Sequence, residues 1–251
     1  MDALALLKKD ETSAKFKELL GEKSKSFLTT VMSLVSQNKQ LKEAEPSSVY
    51  LAALMSAALD LPINQNLGFA YILPYKSREG MKAQFQMGYK GFIQLALRSG
   101  QFKTLSATPV YAWQIVSADP LRGYEFDRTV EKKWEPIGYA SFFRLVNGFE
   151  KTLYMTMDEL KAHGTKFSMS FKKGFGLWKD DFGSMAIKTV IKLLLSKYAP
   201  LSVEMQRAVL ADQWVIKNEE LTEVEYIDNK EDVIEFKEED LTEKLKEFKT
   251  E

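Results

Sequence analysis

Residues 138–156 read GYASFFRLVNGFEKTLYMT, two apolar-rich runs on either side of Asn147-Gly148. This spacing predicts a hairpin closed by a two-residue primed turn. Register follows from the turn: Val146 faces Phe149, Arg144 faces Lys151 and Phe142 faces Leu153. Two cations then stand directly opposite, which costs stability unless an anion or carboxylate lies between them or both long side chains splay into solvent.

Before this hairpin, LGFAYILPY (67–75) and AQFQMGY (83–89) are short, aromatic and alternating, and are joined by the polar stretch KSREGMK. They predict two strands and their connection, and TLSATPVYAW (104–113) predicts another. GYKGFIQLALRSG lies between them at helical spacing, stopped by Gly100. Further back, Pro46 opens and Pro62 closes an alanine-rich helix, and residues 1–45 show apolar positions three and four apart, broken at Gly21.

After the hairpin come a short helix at 157–163, a glycine-punctuated basic loop at 164–178, and a long helix capped by Asp180 or Asp181 and ended by Pro200. An amphipathic helix follows, then a polar Glu/Lys-rich tail. The expected fold class is α+β: a small antiparallel sheet from strands at 67–75, 83–89, 105–113 and 140–156, with helices 91–99 and 181–198 packed against it. The expected organisation is a helical N-terminal arm (1–45) making oligomer contacts, a core (46–214) and an acidic, flexible C-terminal tail (215–251).

Composition restricts the chemistry. With 251 residues, 45% hydrophobic and 28% charged, the chain is a folded one of one large or two small domains. Having no cysteine, it offers no thiolate metal site, and its single histidine weighs against a histidine-built metal site or a Ser-His-Asp triad. The stretch 100–104, GQFKT, lacks the glycine before lysine that a P-loop requires, and Gly174-Phe-Gly176 is only a fragment of a dinucleotide fingerprint. Neither a membrane span nor a signal peptide is legible, so the expected location is the cytoplasm.

The formal charge of zero conceals a segment 215–251 of charge −8 and a body of +8. That layout suits a binder of polyanions whose tethered acidic segment competes for the basic surface, or a tail that aids solubility. In the body, six cations between Lys76 and Lys103 meet one acid, Glu79, and eight lysines between Lys161 and Lys197 meet Asp180 and Asp181; aromatic residues are interleaved in both. Cations tracking phosphates beside aromatic faces that accept bases hold single-stranded nucleic acid. Lys188 and Lys192, one helical turn apart, repel unless a phosphate lies between them. Glycines around Tyr89-Lys90 allow backbone amides to approach an anion at a helix start, or form a plain tight turn.

The blocks LDLPINQNLGFAYILPY and FQMGYKGFIQLALRSGQF, with Trp178, Asp180, Phe182, Met185, Lys188 and Thr189 at W-x-D-x-F-x-x-M-x-x-K-T spacing, resemble the RecT family of phage and prophage single-strand annealing recombinases, especially those of Gram-positive bacterial phages. The resemblance covers roughly residues 50–205. It implies a Rad52-like annealing core acting in the bacterial host cytoplasm, with no catalytic residues, metal or cofactor, that coats single-stranded DNA as a ring or helical homo-oligomer. The protein would anneal complementary strands in recombination without ATP and stay on the duplex. Implied partners are a phage 5′ to 3′ exonuclease and the host single-strand-binding protein. In that picture Lys90, Arg98, Arg122, Lys188 and Lys192 contact phosphates, Tyr75, Phe92 and Trp178 stack or wedge against bases, Lys172 and Lys173 line the groove mouth, and Lys76 and Tyr89 also belong to the DNA-binding set. Competing readings are a Mg²⁺ nuclease using Asp119, Glu131 and Lys133, and a passive single-strand coat.

Overall fold

The computed structural model describes residues 2–64, 66–77, 79–119, 123–127, 129–130, 135–174, 176–212, 214–216 and 224–226. Five helices come first: α1 (Ala3–Leu7), α2 (Asp10–Leu20), α3 (Ser24–Gln37), α4 (Lys39–Lys42) and α5 (Pro46–Ala58). The strands and helices β1 (Ala70–Ser77), β2 (Gly80–Met87), α6 (Tyr89–Arg98), β3 (Phe102–Val110), β4 (Ile115–Asp119), β5 (Gly123–Phe126), β6 (Gly138–Leu145) and β7 (Glu150–Thr156) follow. The chain continues through α7 (Met157–Phe167), α8 (Met169–Lys172), α9 (Leu177–Asp180), α10 (Phe182–Tyr198), α11 (Val203–Ala211), β8 (Trp214–Ile216) and β9 (Val224–Tyr226).

The architecture is α+β, but the described strands form three antiparallel sheets rather than the single expected one. Their orders are β1-β2-β8-β9, β3-β6-β7 and β4-β5. The two hairpins do not join through β2 and β3, because β2 already pairs with β1 on one edge and β8 on the other, while β3 pairs only with β6. Helices α6 and α10 pack on one another and on β3, and α10 also covers β6 and β7, as the sequence led us to expect of these two helices.

Residues 1–45 do not stand off as an arm. Phe16, Val31, Val35 and Leu41 are fully buried, and α1 and α2 pack on α5 of the same chain. Their apolar stripe meets α5, which is buried from Ser48 through Ala57 because its small residues let β2 approach one side and the N-terminal helices the other. Ser48 fastens that contact, its hydroxyl donating to Glu45 O (2.7 Å) and accepting from Ala83 N–H (2.8 Å). At the other end, β8 and β9 carry strand pairing past the expected 214/215 boundary. The rest of the acidic segment lies outside the described residues.

Residues 138–156 form the expected hairpin with a register one residue away. Gly148 N–H donates to Leu145 O and Leu145 N–H to Phe149 O, leaving a three-residue loop in which Gly148 takes φ +90°. This is a turn followed by a left-handed bulge glycine instead of a primed two-residue turn. Arg144 therefore pairs with Glu150, Nε to Oε2 at 2.6 Å, and Lys151 pairs with Phe143 and reaches over the Tyr198 ring. The expected juxtaposition of two cations is replaced by an ion pair. In the first hairpin the polar connection is shorter than expected, since pairing runs on to Ser77 and Gly80.

Candidate nucleic-acid interface

The two basic-aromatic segments meet in a groove of about 780 Å³. One wall is the outer face of the first hairpin, where strand alternation places Tyr71, Leu73 and Tyr75 on β1 beside Gln86 and Gln84 on β2. The other wall is the glycine-punctuated segment, contributing Ser168, Ser170, Lys173 and Trp178, and Lys76 stands at the hairpin end. No carboxylate lines the groove among the described residues. Amide, hydroxyl and ammonium donors above aromatic rings make a surface for a polyanion carrying flat apolar groups. Burial holds the Tyr71 hydroxyl above its ordinary pKa, assisted by nearby Tyr89 and Asp181, so it remains a donor through neutral pH.

Four of the expected site residues, Tyr75, Lys76, Lys173 and Trp178, line this groove. Trp178 is only 6% exposed: Phe171 meets it edge-on at 5.3 Å and Phe182 at 5.4 Å, so the protein holds its ring. Lys172 is exposed beside Lys173, and Lys90 is exposed on the first turn of α6, outside the groove lining. Tyr89 is half-buried against the core. Arg122, together with Glu131 and Lys133 of the nuclease reading, lies outside the described residues.

Three expectations are corrected by burial and pairing. Phe92 is a core residue at 0% exposure, because the amphipathic α6 turns that side inward. Arg98 caps the C-terminal end of α5, its guanidinium donating to Leu59 O (2.8 Å) and Asp60 O (2.7 Å). The anion between Lys188 and Lys192 is Asp212, whose Oδ1 accepts from Lys188 Nζ at 2.9 Å and Oδ2 from Lys192 Nζ at 2.8 Å. Oδ1 also accepts from Met87 N–H, so the knot joins α10, the end of α11 and β2. Asp212 and Lys188 are both buried. The two ammonium groups hold Asp212 below the ordinary carboxylate range against its burial, while burial and Lys192 lower the pKa of Lys188.

The glycines around Tyr89-Lys90 also have a packing cause. A Cβ on Gly88 would lie 2.0 Å from Gly68 O and one on Gly91 2.2 Å from Phe69 O, and Gly88 N–H donates to Phe69 O. The backbone these glycines admit is their own chain's, immediately before β1.

Sequence reading missed Gln84, Gln86 and Asp212. The alternation in AQFQM signalled that the glutamines share a face, but not that the face borders a groove. Asp212 carries no periodic signal, since it follows the last turn of α11 and its partners are 20 and 24 residues away.

The sequence profile of the RecT family matches residues 25–234. The chain is 44% identical over 208 residues to the uncharacterized protein YqaK of Bacillus subtilis (strain 168), covering 82% of this chain and 70% of that one. Protein RecT of Escherichia coli (strain K12) is 31% identical over 185 residues, covering 69% of this chain and 65% of that protein. A profile spanning most of the chain, together with a relative this similar over most of both lengths, shows that this chain belongs to the RecT family.

Proposed function

We propose that the chain binds single-stranded DNA in the groove between the first hairpin and residues 168–178, and anneals complementary strands in phage homologous recombination without ATP. The observation that carries this reading is the convergence of Tyr75, Lys76, Lys173 and Trp178, drawn from two segments about a hundred residues apart, on one carboxylate-poor groove. Cations there contact phosphates, while Gln84, Gln86 and the tyrosine hydroxyls donate to bases or sugar oxygens without demanding one sequence. Lys90 and Lys172, both exposed, add to the basic track, and Arg122 is a further candidate for phosphate contact. RecT membership supports the same reading.

In the fuller form of the proposal the core is Rad52-like and works as a homo-oligomer that remains on the annealed duplex. It receives strands resected by a 5′ to 3′ exonuclease and covered by the host single-strand-binding protein. Mixing labelled complementary oligonucleotides with the protein in the absence of ATP tests the central claim. Faster pairing supports it, shortening of the DNA in Mg²⁺ supports a nuclease, and slower pairing supports a passive coat.

A further inference from the structure

Trp113 is 85% exposed, the largest exposure of any large hydrophobic residue described. Its φ is +69°, a left-handed conformation that is sterically unfavourable for a bulky side chain. The turn holds it there firmly. Gln114, itself buried, accepts Tyr111 N–H on its side-chain oxygen at 3.0 Å and donates its own N–H to Tyr111 O at 3.2 Å. Its carbonyl accepts Asp127 N–H at 2.8 Å, tying the turn to the end of β5. The fold thus fixes an indole in water on a strained backbone, where glycine or asparagine would serve the chain better.

A chain of packed rings links the groove wall to the strand that leads into this turn. Trp178 in the groove wall touches Phe182, Phe182 touches Tyr139 at 6.4 Å, and Tyr139 pairs in register with Pro109, four residues before Trp113. Inside the groove the rings are half-buried or held by neighbours, so the groove provides donors and cations but little open ring face. Trp113 provides that face.

We propose that Trp113 is a nucleobase-stacking residue, taking an unstacked base of the DNA strand that the groove binds. The proposal rests on the groove binding single-stranded DNA and adds a contact that carries no charge. Stacking of a base on an aromatic ring is tolerant of sequence and insensitive to salt, unlike the phosphate contacts of Lys76 and Lys173.

Trp113→Gly tests it, because glycine relieves the positive φ while removing the ring. The measurements on the full chain are thermal stability, affinity for oligo(dT) as a function of salt, and affinity for an abasic deoxyribose-phosphate oligomer of the same length. Expected are unchanged or higher stability, about tenfold weaker binding of oligo(dT) with an unchanged salt slope, and equal binding of the abasic oligomer by both proteins. Equal affinity of variant and parent for oligo(dT) would overturn the proposal. So would weaker self-association in sedimentation at unchanged affinity per subunit, which would assign Trp113 to a contact with a second copy. Failure of the unaltered chain to bind oligo(dT) at all would instead remove the groove reading itself.

Discussion

Around Asp212, two lysines donate to one fully buried carboxylate, whereas along the groove Lys76 and Lys173 stand exposed on walls with no carboxylate among the described lining residues. Both regions come from lysine-bearing segments with aromatic neighbours. The first set of cations is neutralised by the fold and holds three elements together; the second stands exposed where no described lining residue carries a carboxylate. A cation's part in binding depends on whether the chain itself supplies the counter-charge, and these two regions give opposite answers.

The comparison fails most visibly if Asp212 can be removed without harm. Asp212→Ala leaves Lys188 buried beside Lys192 with no counter-charge, and should cost about 3 to 5 kcal/mol in denaturant unfolding. The double change Asp212→Leu with Lys188→Met should recover much of that loss, because apolar groups of similar volume replace the buried pair. Lys192→Gln comes next, with an expected loss of about 1 to 2 kcal/mol, since Asp212 keeps Lys188 and the Met87 N–H. Its salt slope for single-stranded DNA should equal that of the parent; a shallower slope would return α10 to the DNA site.

His163 on α7 sharpens the same contrast. Burial, then Lys192, Lys197 and Lys166, bring its pKa down to about 4 from 6.5. The unfolded chain therefore takes up a proton at higher pH than the folded one, so this contribution to stability is full above pH 6.5 and is lost as pH falls toward 4. For a half-buried ring the loss should be about 1 kcal/mol, and His163→Gln should flatten the unfolding curve across that window. Asp212 acts in a different window: its folded pKa is depressed, so its contribution is present above the ordinary carboxylate value and lost only as pH falls through the lower folded one.

Lys76→Gln and Lys173→Gln should show the smallest effects on stability, within about 0.5 kcal/mol. Each should make the slope of log affinity against log salt shallower by about 0.7, the loss of one phosphate contact to single-stranded DNA. Altered stability with an unaltered slope would show that these lysines belong to the fold, as Lys188 and Lys192 do.

Much of the secondary structure follows from local pattern. Pro46 opens α5, Asp181 caps α10 through Ser184 N–H at 3.1 Å, and the alternation around 70–87 makes the first hairpin, each determined within a few residues of the chain. The hairpin at 138–156 marks where that reach ends. Asn147-Gly148 signals a turn, but whether two or three residues form it is decided by how β6 packs, with Ser141, Phe143 and Leu145 buried and Arg144 left to meet Glu150. For the site, the sequence by itself determined that cations and aromatics are abundant in two segments, and that Tyr75, Lys76, Lys173 and Trp178 are among them. Tertiary structure alone decided which of those charges remain available. In sequence Lys188 and Lys192 suggest a phosphate site because repulsion at one helical turn is local, whereas the carboxylate that answers it follows α11 and reaches them only when the chain folds. Charge is written residue by residue, but its neutralisation depends on distances that the sequence does not contain.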